Sequence, residues 1–470
     1  MKFKKMLIRI SYIIIVLSSL IFSQSYFNRI LGEDIQFGDA RSMSLANTHV
    51  STGISSSITA VNPARLSYLL GGEKGFSFDF QLMSNLLFER RGIGVFDTFG
   101  DYNVDADYVS NQSSNFYNSL GFIMGGNQLK KSNFAIGLSF MPLASFNYIY
   151  EEEVRGKESF SDGELIGSKD PLIGFQRYQN KGEINLVSLG FGYSHAVSFN
   201  DGLVSFGYSI NRVLKSKVED SIMIIEYPNT LDYSIYTNLS NLEDIDNKYH
   251  TPYDTYETFS IEIPFPYSKK SSVIISVETD AMIKSDNYLE YSNSELSGLP
   301  YFLNYNTDSD PSFNPEYNFV LQGVEFYKPK KMTFGLRLDN YRTLFVFEVD
   351  REFYNQQDEN NYDNLLNDIS HYRFAFEHRF KLGSSVRMGL LYKEPIMNGF
   401  DPVTKLTLGS NKSFNKNLNL DFALSYYITD YKYDDIFPVL LPSTTLDCSI
   451  DCETVTESNL SISTTLKWKF

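Results

Sequence analysis

Asn459-Leu460-Ser461-Ile462-Ser463-Thr464-Thr465-Leu466-Lys467-Trp468-Lys469-Phe470 closes the chain. Leu460, Ile462, Thr464, Leu466, Trp468 and Phe470 fall on one parity. Asn459, Ser461, Ser463, Thr465, Lys467 and Lys469 fall on the other. A period of two is the pleat of a β-strand. An apolar face that ends in Trp-x-Phe suits a strand whose outer side meets hydrocarbon and whose end reaches an interface. A soluble edge strand would also tolerate the lysines, but it would not account for the same alternation elsewhere.

That alternation recurs upstream. Phe374, Phe376 and Phe380 oppose Arg373, Ala375, Glu377 and Arg379, and Met332, Phe334, Leu336 and Leu338 oppose Thr333, Gly335, Arg337 and Asp339. Leu418, Leu420, Phe422, Leu424 and Tyr426 oppose Asn419, Asp421, Ala423, Ser425 and Tyr427. Val273, Ile275, Val277 and Ile283 are expected to share a face against Ser276, Glu278, Asp280 and Lys284. Charges alternating with large apolar groups are costly in a dry core. They are stable where one face borders a wet lumen and the other meets lipid.

The pattern predicts an all-β fold: a transmembrane, antiparallel, up-and-down β-barrel of about fourteen strands, preceded by an N-terminal segment that reads as a folded leader or plug. The predicted strands lie near 75–90, 114–127, 131–150, 182–199, 203–220, 255–266, 271–288, 328–339, 341–354, 369–381, 384–393, 402–412, 416–433 and 457–470. Short connections such as Asn200-Asp201-Gly202 and Leu382-Gly383 alternate with long ones near 91–113, 151–181, 221–254, 289–327, 355–368 and 434–456. Short turns on one side and long loops on the other is the rhythm of such barrels, and an even strand count places both termini in the periplasm.

Composition agrees. Aromatics are 15% of 470 residues, with 38 Phe and 33 Tyr against one Trp. Residues 1–25 read as a signal peptide: Lys2, Lys4, Lys5 and Arg9, then an apolar run from Ile10 to Phe22, then Ser23 and Ser25 for cleavage. Its four positive charges and no negative one mean that removal would take the net charge from −16 to about −20. So acidic a chain lacks the basic footprint of nucleic-acid binding. No later run is long and apolar enough for a helical span.

The acidic residues concentrate in loops. Residues 289–327 hold Glu290, Glu295, Asp308, Asp310, Glu316 and Glu325, and residues 434–456 hold Asp434, Asp435, Asp447, Asp451 and Glu453, with no Lys or Arg in either. A solvated surface is the favoured reading, and a divalent-cation site lacks the spacing of a calcium loop. Cys448 and Cys452 read first as a local disulfide, with a two-thiolate metal site as the alternative. His49, His195, His250, His371 and His378 form no metal-binding pair. Gly190-Phe191-Gly192-Tyr193 lacks the third glycine of a phosphate loop and reads as small and aromatic residues alternating in a strand. No cofactor and no enzymatic chemistry is expected. The inward Arg337, Glu348, Asp350, Arg373, Glu377, Arg379, Arg387 and Lys405 form a charged lumen ladder that would hold wall and plug in register.

Residues 26–72 do not alternate. They run through Ala40-Arg41-Ser42-Met43 and Asn62-Pro63-Ala64, and small residues dominate. In these two stretches, with the fourteen strands, the chain resembles the FadL-like outer-membrane transport proteins, channels for long-chain fatty acids and aromatic hydrocarbons. It resembles still more their PorV/PorQ-like branch, which is linked to type IX secretion. It departs from the pattern at Ser42-Met43-Ser44-Leu45-Ala46, where a Gly-Met-Gly-Gly-type run is common, and at Ser55 and Ser56, where acidic residues are common.

The resemblance implies that 26–72 is a plug closed off by Asn62, Pro63 and Ala64, and that 73–470 is the barrel. It implies passage of a small hydrophobic molecule by plug movement, with lateral exit into membrane lipid at a kink in the third strand, where Pro142 stands. The alternative that it carries is a non-transporting barrel that docks or carries secreted proteins, a docking or shuttle component in protein secretion with secretion-system proteins as partners. The C-terminal aromatic is similar to the signal read by the barrel-insertion machinery.

Overall fold

The computed structural model describes residues 33–35, 38–69, 75–96, 102–129, 132–155, 159–161, 164–166, 172–196, 202–224, 245–266, 268–285, 325–354, 367–381, 383–396, 400–433 and 453–470. The expected signal peptide, most of the two acidic loops, and both Cys448 and Cys452 lie outside the described residues.

Fourteen strands form the wall. They are β1 (Gly75–Phe96), β2 (Tyr102–Leu129), β3 (Ser132–Ser145, resuming as Tyr148–Arg155), β4 (Leu172–Ala196) and β5 (Leu203–Val213, resuming as Ser216–Ile224). Next come β6 (Ile245–Thr251 and Asp254–Phe265), β7 (Ser268–Glu278 and Ala281–Lys284), β8 (Glu325–Lys328 and Lys330–Asp339) and β9 (Thr343–Phe353). The rest are β10 (Ile369–Arg379), β11 (Ser385–Lys393), β12 (Val403–Ser413), β13 (Leu418–Tyr433) and β14 (Glu453–Lys469). Each pairs antiparallel with its chain neighbour, and β14 pairs with β1 from Ser77↔Lys469 to Gly92↔Thr454, which closes the barrel. Closure leaves no sheet edge, the condition for β-structure within a bilayer. Among the described residues no helix is long and apolar enough to cross a membrane.

The C-terminal strand behaves as its alternation requires. Asn459, Ser461, Ser463, Thr465 and Lys467 are buried in the lumen, and Leu466, Trp468 and Phe470 are exposed. Around the barrel the outward belt is apolar, with Phe374 56% and Leu406 59% exposed. Cross-strand pairs such as Phe347–Phe374 and Phe345–Phe376 stand 4.8 and 5.0 Å apart between centroids, the packing that stabilises neighbouring strands.

One expected face is corrected. Val273, Ile275 and Val277 do point outward, but β7 breaks at Thr279-Asp280 and the parity changes across the break. Ile283 is therefore fully buried in the lumen opposite Phe326, and Asp280 is exposed. The same one-residue offset occurs in β3 near Leu143, in β5 at Leu214-Lys215, in β6 at Pro252-Tyr253 and in β8 at Pro329. An extra residue turns every following side chain to the other face. Here the breaks sit in strands on one side of the barrel.

Candidate functional site: a plugged lumen with an interrupted wall

The plug is a chain of single helical turns: α1 (Ala40–Met43), α2 (His49–Thr52), α3 (Ile58–Val61), a 3-10 turn (Pro63–Arg65) and α4 (Leu66–Leu69). One turn cannot hold itself in water, so its polar groups are satisfied from elsewhere. The Asp39 carboxylate caps α1 by accepting from Ser42 N and also accepts from Ser55 N (2.9 Å) and Ile54 N. His49 lies between the Ser42 hydroxyl at Nδ1 (3.1 Å) and the Ser57 hydroxyl at Nε2 (3.2 Å). Burial, outweighing the attraction of Asp39, holds its pKa below the usual histidine value.

The wall supplies the remaining partners. Arg41 donates through Nη2 to Glu377 (2.7 Å) and through Nη1 to the Thr52 carbonyl (2.6 Å). Arg65 reaches Glu262 (3.1 Å), Ser51 donates to Glu348 from both N and Oγ (2.9 and 2.6 Å), and Ser56 does the same to Asp79 (2.7 Å each). Asn62 donates from Nδ2 to the Val50 carbonyl (2.7 Å), and Ala64 N donates to Ser260 Oγ (2.9 Å). From the closing strand, Thr465 Oγ1 accepts from Ala40 N (2.8 Å), and Lys467 Nζ donates to the Ile54 carbonyl.

Steric fit is as close as the polar fit. Glycines on the inner wall stand where plug atoms approach. A Cβ added to Gly207 would collide with Ala64 N, one on Gly389 with Ala46 N, and one on Gly121 with Ser56 Oγ. Pro63 packs above Gly190 and Gly192, the glycines that alternate with outward Phe191 and with Tyr193. The wall has been emptied of side chains where the plug needs room.

The residues of the expected lumen ladder divide into groups. Glu377 joins Arg41, Arg379 (3.1 Å) and Arg387 (2.9 Å), and Arg387 also pairs with Asp421 (2.6 Å). Arg337 and Arg379 share Asp339 (2.6 and 2.8 Å). Arg373 pairs with Asp350, with His371 Nδ1 3.1 Å away. Lys405 lies 5.0 Å from the Tyr427 ring centroid. Of the eight, Glu348 and Glu377 bond the plug directly. Asp79, Glu262 and Lys467 also bond the plug directly, and Asp421 holds Arg387 beside Glu377; sequence reasoning does not single them out, because plug and wall partners lie far apart in sequence.

The lumen has two sides. β9 to β14 and β1 present mostly polar or charged groups, whereas β3 to β8 present Phe146, Tyr148, Ile184, Leu186, Val213, Val218, Ile283 and Phe326, all buried. Phe146 and Phe326 meet edge to face at 6.2 Å. These side chains other than Tyr148, together with Met141, Leu143, Met83 and Tyr117, form one apolar cluster with Ile35, Met43 and Ala60 of the plug segment.

Pro142 stands at the edge of that cluster. The β2–β3 ladder runs from Leu129↔Ser132 to Leu120↔Phe140, and no β2–β3 pairing follows among the described residues. Proline has no N–H to give a ladder. From Met141 to Phe146 every residue is buried on both parities, so β3 has turned inward from the lipid face, while its register with β4 shifts between Pro142 and Ala144. A two-residue strand, Glu33–Asp34, pairs instead with Ser145 and Ala144, and Ile35 N donates to the Leu143 carbonyl at 3.3 Å.

Two solved structures share this architecture. The toluene transporter TodX of P. putida aligns over 93% of this chain and 99% of its own, with 13% identity and a TM-score of 0.52. A FadL homologue of Pseudomonas aeruginosa aligns over the same shares at 10% identity and a TM-score of 0.53. At those identities the likeness is one of fold, and the fold is the FadL-like one. Neither a family model nor a curated protein matches the chain.

Proposed function

We propose that this chain is an outer-membrane channel that admits small hydrophobic compounds and releases them sideways into the membrane. The observation that carries this reading is the β2–β3 ladder that ends at Phe140 beside a buried apolar cluster. A hydrophobic solute gains from leaving water for that cluster and then needs a way to lipid that avoids the aqueous side. The seam at Met141–Ser145 is that way out. The fold shared with a toluene transporter and a FadL homologue is consistent with it.

The glycine-seated body of the plug stays in place in this mechanism. Movement is local: the Glu33–Asp34 strand leaves the β3 edge and the seam opens. Both termini are periplasmic, the outward belt meets lipid, and the C-terminal aromatic strand engages the insertion machinery.

Cells carrying the protein in their outer membrane should take up radiolabelled toluene or dodecane faster than cells without it, and Pro142→Ala should slow that uptake. Equal rates with and without the protein would remove the channel reading. Affinity capture that returned secretion-system proteins in a stable assembly would favour the docking alternative.

A further inference from the structure

At the height of the seam the ladder aligns four inward polar side chains across four strands. Ser425 of β13 is opposite Ser461 of β14, Ser461 is opposite Asn85 of β1, and Asn85 is opposite Asn115 of β2. All are buried, Asn85 at 5% and Asn115 at 9% exposure. This ledge runs along the polar side of the lumen and ends on the strand that borders the seam.

Two of its atoms have hydrogen-bonding capacity unused. Asn85 Oδ1 and Asn115 Nδ2 are buried with no hydrogen-bond partner. A buried amide atom left so costs free energy comparable to a lost hydrogen bond, and the pair consists of one acceptor and one donor on facing residues. The next inward pair along the same two strands is Met83 opposite Tyr117, both within the apolar cluster that reaches the β3 kink. A polar ledge and an apolar floor thus adjoin at the exit.

We propose that the ligand passing this point is an amphiphile with an uncharged head that both donates and accepts, a hydroxyl or a carboxamide, held between Asn85 and Asn115. Its alkyl tail lies over Met83 and Tyr117 toward the seam. The inference rests on the channel reading and narrows its substrate class. An anionic head is disfavoured by charge, since Glu89, Glu453 and Glu457 share this wall and Arg91 already pairs with Glu89 (2.7 Å) and Glu453 (3.1 Å). A plain alkane leaves both amide atoms unsatisfied.

The test is equilibrium binding of dodecan-1-ol, dodecane and dodecanoate to the full-length barrel in detergent, with Asn85→Leu/Asn115→Leu as the variant and retention of the barrel checked by heat-modifiable gel mobility. Dodecan-1-ol should bind the natural protein more tightly than either relative. The variant should weaken it about ten-fold, the scale of one or two hydrogen bonds, and leave dodecane unchanged. Dodecanoate binding tighter than dodecan-1-ol, or a variant that weakens dodecanol and dodecane equally, would overturn the proposal while leaving the channel reading intact. If none of the three binds, the channel reading fails and the proposal with it. Should the variant not fold, the ranking of the three probes on the natural protein still decides.

Discussion

Arg41 illustrates what a residue discloses on its own. Its place in the Ala-Arg-Ser-Met run marked it as a plug residue, but its partner Glu377 lies 336 positions away. No local spacing connects the two. The ion pair is nearly excluded from solvent, but Glu377 keeps Arg379 and Arg387, so Arg41→Ala should lower stability by about 1–3 kcal/mol, the cost of a lost buried partner; denaturant unfolding in detergent measures it. Gly207→Ala should cost about 1–3 kcal/mol by driving a methyl into the Ala64 backbone, whereas Gly383, with open space around it, should accept the extra atom sterically and resist it only through its positive φ of 83°. His49 gives a pH dependence of definite sign. Its pKa is depressed by burial, so above pH ~6.5 the neutral ring is the native form in both folded and unfolded chains. Below that the unfolded chain binds the proton more readily, and stability falls as pH drops toward the folded value. Unfolding midpoints at pH 7.5 and 5.5 should therefore converge in His49→Gln.

Among elements, the strands were the legible part, because a membrane-spanning strand must alternate lipid-facing and lumen-facing residues. The strands β9 to β14 follow that pattern without interruption. The breaks in β3 and β5 to β8 were not legible: one additional residue reverses the faces without altering composition, which is how Ile283 was expected among the outward residues. Pro142 was the exception, since a proline inside a strand announces a missing ladder bond. Phe374→Lys, on the lipid face of β10, should cost about 2–4 kcal/mol if that residue lies near the bilayer midplane, and a folding titration into liposomes reads it. A cost below 0.5 kcal/mol would place Phe374 outside the hydrocarbon region, since that cost falls to ~0–1 kcal/mol near the interface.

For the whole molecule, closure and strand number followed from the rhythm of short and long connections, while the seating of the plug depended on contacts that only the closed barrel creates. Residues 38–66 occupy a lumen lined on one side by small and polar groups and on the other by large apolar side chains. Deleting them should raise single-channel leak conductance in planar bilayers, and unchanged conductance would mean that these residues do not block the passage. The bond from Ala40 N to Thr465 Oγ1 joins positions 425 residues apart, and Lys467 reaches Ile54 in the same way. Part of the plug's bonding therefore waits for the closing strand. The cork is gripped stave by stave, but its last bonds wait on the one that closes the ring, so the final tightening of its seat is as slow as the meeting of two distant parts of the chain.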